Sequence, residues 1–499
     1  MKNISKYILP IAIGLSLASC TGELEKEPHT QLTENTAFNN LLDAQNWVNG
    51  MYSGLRGSIA NSNTIPQDIQ ADQLNATVEF GNRFGNEHSW INLQTSYGTF
   101  SAVWAGHYEN IANINKALGG FPNIKTKDDA EKAAIENYKG ELLAARAYHY
   151  SYLVRRFAKP YNPASAATDL GLPLTLTFDL KALPARSSMK ETYEQILKDL
   201  QQAREKLPAA AGKPMAIKIN QDFIDALEAR TKLYMQDWQG AKTAAEKLIN
   251  SGTYSLTNNF EGLKNLWEKD NSLEIIFQSF VQAPDELALA TPFSTYVGFR
   301  PDSKKYQPDY LPTQTTIDLF DDKDYRKDIY FKKVKGLFQG VDYENVTIIN
   351  KFPGNPALFT EANSKHEHAP KAFRLAETYL IAAEASYELN DESTAKKYLN
   401  ELRVARGLDA TNATGTNLRD EIRNERTREL AFEGFRLDDL KRWKINIERK
   451  TPQNLEYLIV NPAENFYQMN RAFNHFMTVW PIPSNDIQIN PNLIQNEGW

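Results

Sequence analysis

The sequence predicts a mainly α fold, a scaffold of tetratricopeptide-like helix pairs interrupted by long loop-rich stretches. Three observations carry this reading. Apolar residues recur at helical spacing in two successive runs between 221 and 249, and the same plan returns between 375 and 402. Alanines recur in these pairs, and Ala241 to Leu248 and Ala395 to Leu402 share a seven-residue step. Small side chains at such positions let paired helices approach closely. Two stretches, about 60–100 and about 280–365, lack any helical period and are rich in Asn, Gln and Gly or in Pro, Tyr, Phe and Asp.

The chain opens with Lys2 and Lys6, followed by an apolar run from Tyr7 to Ala18. That run is short against the roughly 20 residues a membrane-spanning helix needs, so it reads as the core of a signal peptide. Leu17, Ala18 and Ser19 then precede Cys20, the only cysteine. A lone cysteine excludes an intrachain disulfide framework and any thiolate metal cluster. Leu-Ala-Ser-Cys resembles the bacterial lipobox, in which the cysteine is lipidated and becomes the new N-terminus. More than one acyl chain is enough for stable anchoring where a single chain is marginal. Loss of Lys2 and Lys6 with the leader takes the formal net charge from -6 to -8.

A first helix pair is marked by Leu142, Ala145, Tyr148 or His149, Leu153 and Phe157, with Tyr193, Ile196, Leu197, Leu200 and Leu207 on its partner. The loop between them, 160–184, contains Gly171 and Pro173. In the next pair Phe223, Ala226, Leu227, Leu233 and Tyr234 form one apolar stripe, Gly240 is expected to break the run, and Ala241, Ala244, Ala245, Leu248 and Ile249 form the second stripe before Gly252. In the later pair Tyr379, Leu380, Ala383 and Leu389 lead to a turn at Asn390-Asp391, then Ala395, Leu399 and Leu402 lead to Gly407. Residues 451–499 are irregular and end in Trp480, Pro481, Ile482, Pro483 and Asn490-Pro491, which predicts a strap packed over the scaffold.

Composition narrows the function. The 499 residues carry 56 Lys plus Arg against 62 Asp plus Glu, so no basic excess exists to neutralise nucleic-acid phosphates. Hydrophobic residues make up 41% and charged residues 24%, which is not a disordered composition. The 8 Trp, 23 Tyr and 24 Phe are a generous count, and the extra rings must sit in the core or on a binding surface. No Walker loop, nucleophile elbow or dinucleotide fingerprint appears.

Ile422 to Trp443 reads IRNERTRELAFEGFRLDDLKRW, Arg374 to Ala385 reads RLAETYLIAAEA, and the end reads PIPSNDIQINPNLIQNEGW from Pro481. With Trp104 to Asn115, Glu141 to Tyr148, and Asp324 with Arg326, these segments resemble the SusD/RagB family of Bacteroidetes outer-membrane lipoproteins in order along almost the whole chain. The resemblance implies four tetratricopeptide-like helix pairs with a looped lobe carrying a few short strands. It implies a signal peptide at 1–19, a lipidated tether at 20–34, an N-terminal helical region at 35–265, and a C-terminal region at 266–499 with a helix pair at 374–404. It also implies a surface protein, lipid-anchored in the outer membrane, that captures glycans, or in some members peptides, for a SusC-like TonB-dependent transporter. It implies no catalysis and no cofactor. Glu23, Glu25 and Glu27 after the lipobox are similar to a surface-export signal of such lipoproteins, and they also suit a solvated tether.

Three clusters invite chemical readings. Residues 421–442 carry six acids and six bases, with Glu421, Glu425, Glu429 and Glu433 at a four-residue step. Arg428, Arg436 and Arg442 stand three or four residues from Glu425, Glu433 and Asp438, which predicts ion pairs on a helix rather than acid–base catalysis or a metal site. A glycan hydrolase would need two carboxylates at a defined separation in a cleft, and no such pair stands outside this segment. His366-Glu367-His368 lacks further nearby ligands for zinc. Asp321, Asp322 and Asp324 lack the spacing of a calcium loop and read as a solvated turn, while a structural Ca2+ elsewhere stays open.

For the binding surface, saccharide rings stack C–H faces on flat aromatic rings and turn their hydroxyls toward Asp, Asn, Gln or Arg. In the family such residues come from loops and vary, so candidates are drawn from the two irregular stretches. They are Trp90 with Asp72, Arg83 and Tyr97 from the first, and Tyr296, Arg300 and Tyr306, with Phe299 and Tyr310 beside them, from the second. Trp104, Trp238, Trp267, Trp443 and Trp480 are expected inside.

Overall fold

A computed structural model of the protein describes residues 37–499 apart from 61–62, 211, 288–292, 361–365 and 461–462. The leader, Cys20 and the tether lie outside the described residues. The helices of the first half are α1 (Leu41–Ile59), α2 (Ile65–Gln70), α3 (Gly85–Ser89), α4 (Gly98–Gly120), α5 (Asp129–Phe157), α6 (Met189–Lys206), α7 (Gln221–Tyr234), α8 (Trp238–Asn250) and α9 (Phe260–Glu268). Those of the second half are α10 (Gln314–Asp318), α11 (Tyr325–Tyr330), α12 (Leu375–Glu388), α13 (Glu392–Ala405), α14 (Gly415–Glu429), α15 (Arg436–Trp443) and α16 (Ser484–Ile489).

The three pairs predicted from periodicity are present: α5 packs on α6, α7 on α8, and α12 on α13. The α6 start is a capping box, in which Ser188 accepts from Glu191 N while the Glu191 carboxylate accepts from Ser188 N. Asp391 caps α13 through Thr394 N, as the Asn390-Asp391 turn requires. Gly240 does not break its run. The chain turns earlier, at Gln236 with φ of +59°, and Asp237 caps α8 by accepting from Gly240 N at 3.0 Å. The alanines act as predicted: Ala241, Ala244, Ala245, Ala383 and Ala395 are buried in one cluster where α8 meets α12. That seam joins a pair from each half of the chain.

The largest core is built from α1 and α4 to α7, and it draws Phe277, Phe373, Trp480 and Ile482 from the second half. Trp480 belongs to the tail strap. It is fully buried, its backbone N donates to Arg156 O at 2.7 Å, and its indole donates to Gln70 Oε1 at 3.0 Å.

The strands are β1 (Leu74–Ala76), β2 (Leu170–Pro173), β3 (Arg186–Ser188), β4 (Ile275–Gln278), β5 (Phe299–Arg300), β6 (Lys305–Tyr306), β7 (Tyr310–Pro312), β8 (Phe331–Phe338), β9 (Val341–Ile349), β10 (Lys371–Arg374), β11 (Ile447–Glu448) and β12 (Asn470–Arg471). The stretch expected to be loop holds the main sheet, ordered β5-β6-β8-β9. Strands β8 and β9 form a hairpin whose two turn residues, Gln339 and Gly340, both have positive φ, the geometry that matches strand twist. Val334, Phe338, Val346 and Ile348 face inward beneath it.

The charged segment is not one helix. Helix α14 stops at Glu429, and Phe432 and Gly434 take positive φ before α15 begins, so Glu433 leaves the carboxylate column. Glu425 and Arg428 pair as their spacing predicts, at 2.6 Å. The other two expected pairs do not form. Glu433 takes Lys351 and Arg374, and Asp438 takes Arg155 and Arg156 across the fold and Lys441 three residues on. Arg442 turns to the distant Glu384 and to Asp439 three residues back. Arg326, Arg374 and Arg406 all converge on Glu429. Burial pushes the Glu429 carboxyl up, but the three guanidiniums outweigh it and hold the group well below the usual carboxylate range. Asp324, read as part of a solvated turn, is instead buried and forks onto Arg326.

Candidate functional site

The two irregular stretches of the sequence meet. Strand β1 (Leu74–Ala76) pairs antiparallel with β7 (Tyr310–Pro312), so Ala76 lies opposite Tyr310. Thr77 extends the seam: its N donates to Asp309 O at 2.9 Å and its hydroxyl to Pro308 O at 2.7 Å. Tyr310 then donates its hydroxyl to Arg83 O at 2.6 Å and holds the 80–84 turn against the second stretch.

Beside this seam the hairpin β5–β6 places Phe299 opposite Tyr306 and Arg300 opposite Lys305. Gly298 permits its entry. With φ of +59° it lets Gln307 N donate to Gly298 O at 2.8 Å, and a Cβ there would stand 2.1 Å from Gln307 O. Strand β6 runs parallel to β8, which brings Lys332 under the hairpin.

The result is an amphipathic platform. The Phe299 and Tyr306 rings lie 5.1 Å apart at 51°, both half-buried. Lys332 Nζ stands 5.7 Å from the Tyr306 ring centre. Arg300 is exposed and donates through Nε to Gln307 Oε1 at 2.7 Å. Arg83, with about half its side chain in solvent, pairs with buried Asp309 at 2.5 Å. Burial lifts the Asp309 carboxyl to about 7, although Arg83 and Arg300 pull it down. Arg83 bonds this acid directly, and Arg300 acts on it through space. Flat rings bordered by fork-shaped and amide donors can hold the C–H face of a sugar while its hydroxyls bond at the edge.

Of the residues singled out in the sequence, Arg83, Arg300 and Tyr306 come together here. The other four do not. Trp90 is 4% exposed and packs with Leu437, Leu440 and Met469, and its indole donates to Gln70 O at 3.0 Å, so no ring face is open to a ligand. Asp72 is clasped by Arg436 at 2.8 and 2.7 Å. Tyr296 is buried beside Phe432. Tyr97 is half-buried and donates to Glu87 at 2.8 Å. For the three from the first stretch, Asp72, Trp90 and Tyr97, the reason is common. The 60–100 stretch is polar but internal: Gln67, Asp68, Gln70, Glu87 and His88 are all buried and each makes a tertiary hydrogen bond rather than facing solvent. Sequence reasoning missed Gln307, which the β5–β6 hairpin itself sets beside Arg300, and Asp309 and Lys332, which the β1–β7 and β6–β8 pairings bring to the hairpin.

Among the described residues no group of three His, Cys, Asp or Glu side chains is arranged to hold a metal, and no helix is long and apolar enough to cross a membrane.

Comparison with known proteins places this geometry in a family. Residues 344–499 match the model described as SusD family, and residues 24–233 match one described as starch-binding associating with outer membrane. The chain belongs to the SusD family. The SusD-like protein P2 of Formosa agariphila is 26% identical over 99% of both chains. The starch-binding protein SusD of Bacteroides thetaiotaomicron is 33% identical, over 26% of this chain and 21% of its own. A SusD superfamily structure from Bacteroides thetaiotaomicron has a TM-score of 0.78 at 25% identity and covers 92% of this chain and 99% of that one. A putative sugar-binding protein from Bacteroides vulgatus has a TM-score of 0.75 at 26% identity and covers 93% and 100%. In this SusD family chain the hairpin platform belongs to the loop-rich stretch between the second and third helix pairs.

Proposed function

We propose that the protein captures an oligosaccharide or polysaccharide at the cell surface and delivers it to a SusC-like TonB-dependent transporter of the outer membrane. In this reading it is held to that membrane by lipid on Cys20, performs no catalysis and needs no metal. Family membership supports the glycan class. The observation that carries the site is the approach of Arg83 and Arg300, from two distant stretches, to the same acid, Asp309, beside the hairpin that carries the Phe299 and Tyr306 rings. The resident acid there, Asp309, is a single buried carboxylate bonded to Arg83, which is not the paired arrangement that glycoside hydrolysis uses.

The test is binding of the mature soluble chain, residues 21–499, to a panel of polysaccharides, maltooligosaccharides and peptides, beside Tyr306→Ala and Arg300→Ala. Binding of a glycan that each variant weakens by about tenfold or more agrees with the loss of one stacking or charge-assisted contact of roughly 1.4 kcal/mol or more. Affinity for peptides alone would overturn the glycan class, and release of glycan products by the pure protein would overturn the non-catalytic reading.

A further inference from the structure

A second recess lies away from the hairpin platform, between the 159–169 loop, the C-terminal end of α15 and the tail strap. Its volume is about 670 Å³, within the range of small-ligand sites, whereas the cleft between Tyr296 and Trp267 offers only about 80 Å³. The walls of the larger recess are built. Asn496 Nδ2 donates to Phe157 O at 2.9 Å and Trp480 O at 2.8 Å, and the Trp499 indole donates to Val479 O at 2.8 Å. Trp499 packs edge-on against Phe476 with centroids 5.3 Å apart, and Phe476 stacks on His475 at 4.9 Å. The floor is saturated: Lys441 Nζ donates to Arg155 O and Thr478 O and pairs with Asp438.

The rim is different. Tyr161, Phe473 and Phe476 each keep part of a ring in solvent, and Asn162 and Asn474 are exposed between them. Among the described residues the Tyr161 hydroxyl, the Asn162 Nδ2 and the Asn474 amide have no hydrogen-bond partner within the chain. The two carboxylates of the lining are already engaged: Asp169 accepts from the Ser165 hydroxyl at 2.5 Å, and Glu497 pairs with Lys159 at 2.9 Å. Half-open rings alternating with free amides and a phenol suit a ligand with apolar C–H faces and hydroxyl edges, and the exposed Lys159 and Lys444 at the same recess add donors for its hydroxyls.

We infer that this recess is a second saccharide-binding site, independent of the hairpin platform, that takes one to a few sugar units through Tyr161, Phe473, Phe476, Asn162 and Asn474. The recess stands on geometry alone, while the ligand class rests on the glycan reading above. Two separate sites on one protein would engage a long polysaccharide chain at two points, which raises apparent affinity for long chains over short ones.

The test uses the soluble mature chain and three variants: Arg300→Ala/Tyr306→Ala for the platform, Phe473→Ala/Asn474→Ala for the recess, and all four changes combined. All the altered side chains are exposed or half-exposed, and circular dichroism checks the fold of each. Saturation-transfer NMR and calorimetry with maltose, cellobiose, xylobiose and their polymers read the binding. A milder variant, Tyr161→Phe, removes only the hydroxyl and is expected to weaken recess binding several-fold. The expected result is saccharide binding that survives in the platform variant, falls at least tenfold when the recess changes are added, and is accompanied by slowed amide exchange over 473–479. If the platform variant binds no saccharide although the unaltered protein does, the recess proposal fails and the glycan function stands. If no protein binds any saccharide, both readings fail. If the recess changes abolish binding of a peptide instead, the site stands as a recess but the saccharide assignment is overturned.

Discussion

Glu429 accepts from Arg374 at 2.6 Å with both side chains sealed from solvent, although 55 residues separate them in sequence. Arg326 and Arg406 reach the same carboxylate at 3.0 and 2.9 Å. Three cations around one anion would repel one another, and Glu433, Glu425, Glu274 and Asp324 supply further negative charge. The cluster ties α14 to α11, β10 (Lys371–Arg374) and the end of α13.

Removing its centre leaves three buried guanidiniums short of an anion. Glu429→Ala is expected to destabilise the protein by about 3–5 kcal/mol, the usual effect of breaking a buried pair from one side. Urea unfolding of the purified variant measures this. A loss under about 1 kcal/mol would mean that water or the neighbouring acids already compensate the arginines.

Gly434 makes the turn that separates α14 from α15. Its φ is +78°, its N donates to both Asp68 oxygens at 3.1 and 3.0 Å, and its carbonyl accepts from Arg156 at 2.8 Å. A Cβ would stand 2.9 Å from Thr64 Cα, a backbone atom that cannot rotate away. Gly434→Ala is therefore expected to lose about 1–3 kcal/mol through left-handed strain and displacement of α2. A thermal midpoint equal to that of the unaltered protein would show that this turn relaxes freely.

The helix pairs were legible because Ala241, Ala245 and Ala395 repeat a local pattern that needs no knowledge of the partner. The ion pairs were legible only where they stayed within one helical turn, as with Glu425 and Arg428. Glu433 went astray because Phe432 and Gly434 break the helix, and nothing in the charge spacing reveals a change of backbone direction. The binding face divides in the same way. Tyr306 and Arg300 stand on a hairpin whose register keeps them open. Trp90 resembled a platform ring, yet the polar residues around it are buried partners of the tail strap. Exposure is a tertiary property, and local polarity did not report it.

The anchor reading makes a separable claim about Cys20. Cys20→Ala is expected to abolish incorporation of radiolabelled fatty acid and to release the protein from membranes in an alkaline salt wash, because no other segment supplies two acyl chains. Retention of the variant in washed membranes would end the lipid-anchor reading while leaving the binding sites untouched.

His107 and His149 form a buried pair whose proton placement can be worked out. Asn63 uses its Nδ2 as a donor to Gly57 O at 3.1 Å, so its Oδ1, 3.0 Å from His107 Nε2, accepts a proton carried on that nitrogen. His107 Nδ1 is then an acceptor, and His149 Nδ1–H donates to it at 2.9 Å. Burial lowers both imidazoles, His149 to about 3. In the unfolded chain each titrates near 6.5, so the unfolded state gains protons first and the pair's contribution, complete above that value, is lost as pH falls toward 3. His149→Asn keeps a donor near the same place without a titrating group. Relative to this variant, the unaltered protein is expected to lose roughly 1.4 kcal/mol of stability per pH unit between 6 and 5, read from urea midpoints at each pH. A difference that stays constant across that interval would show that His149 takes a proton in the folded protein and that the pair is not held neutral.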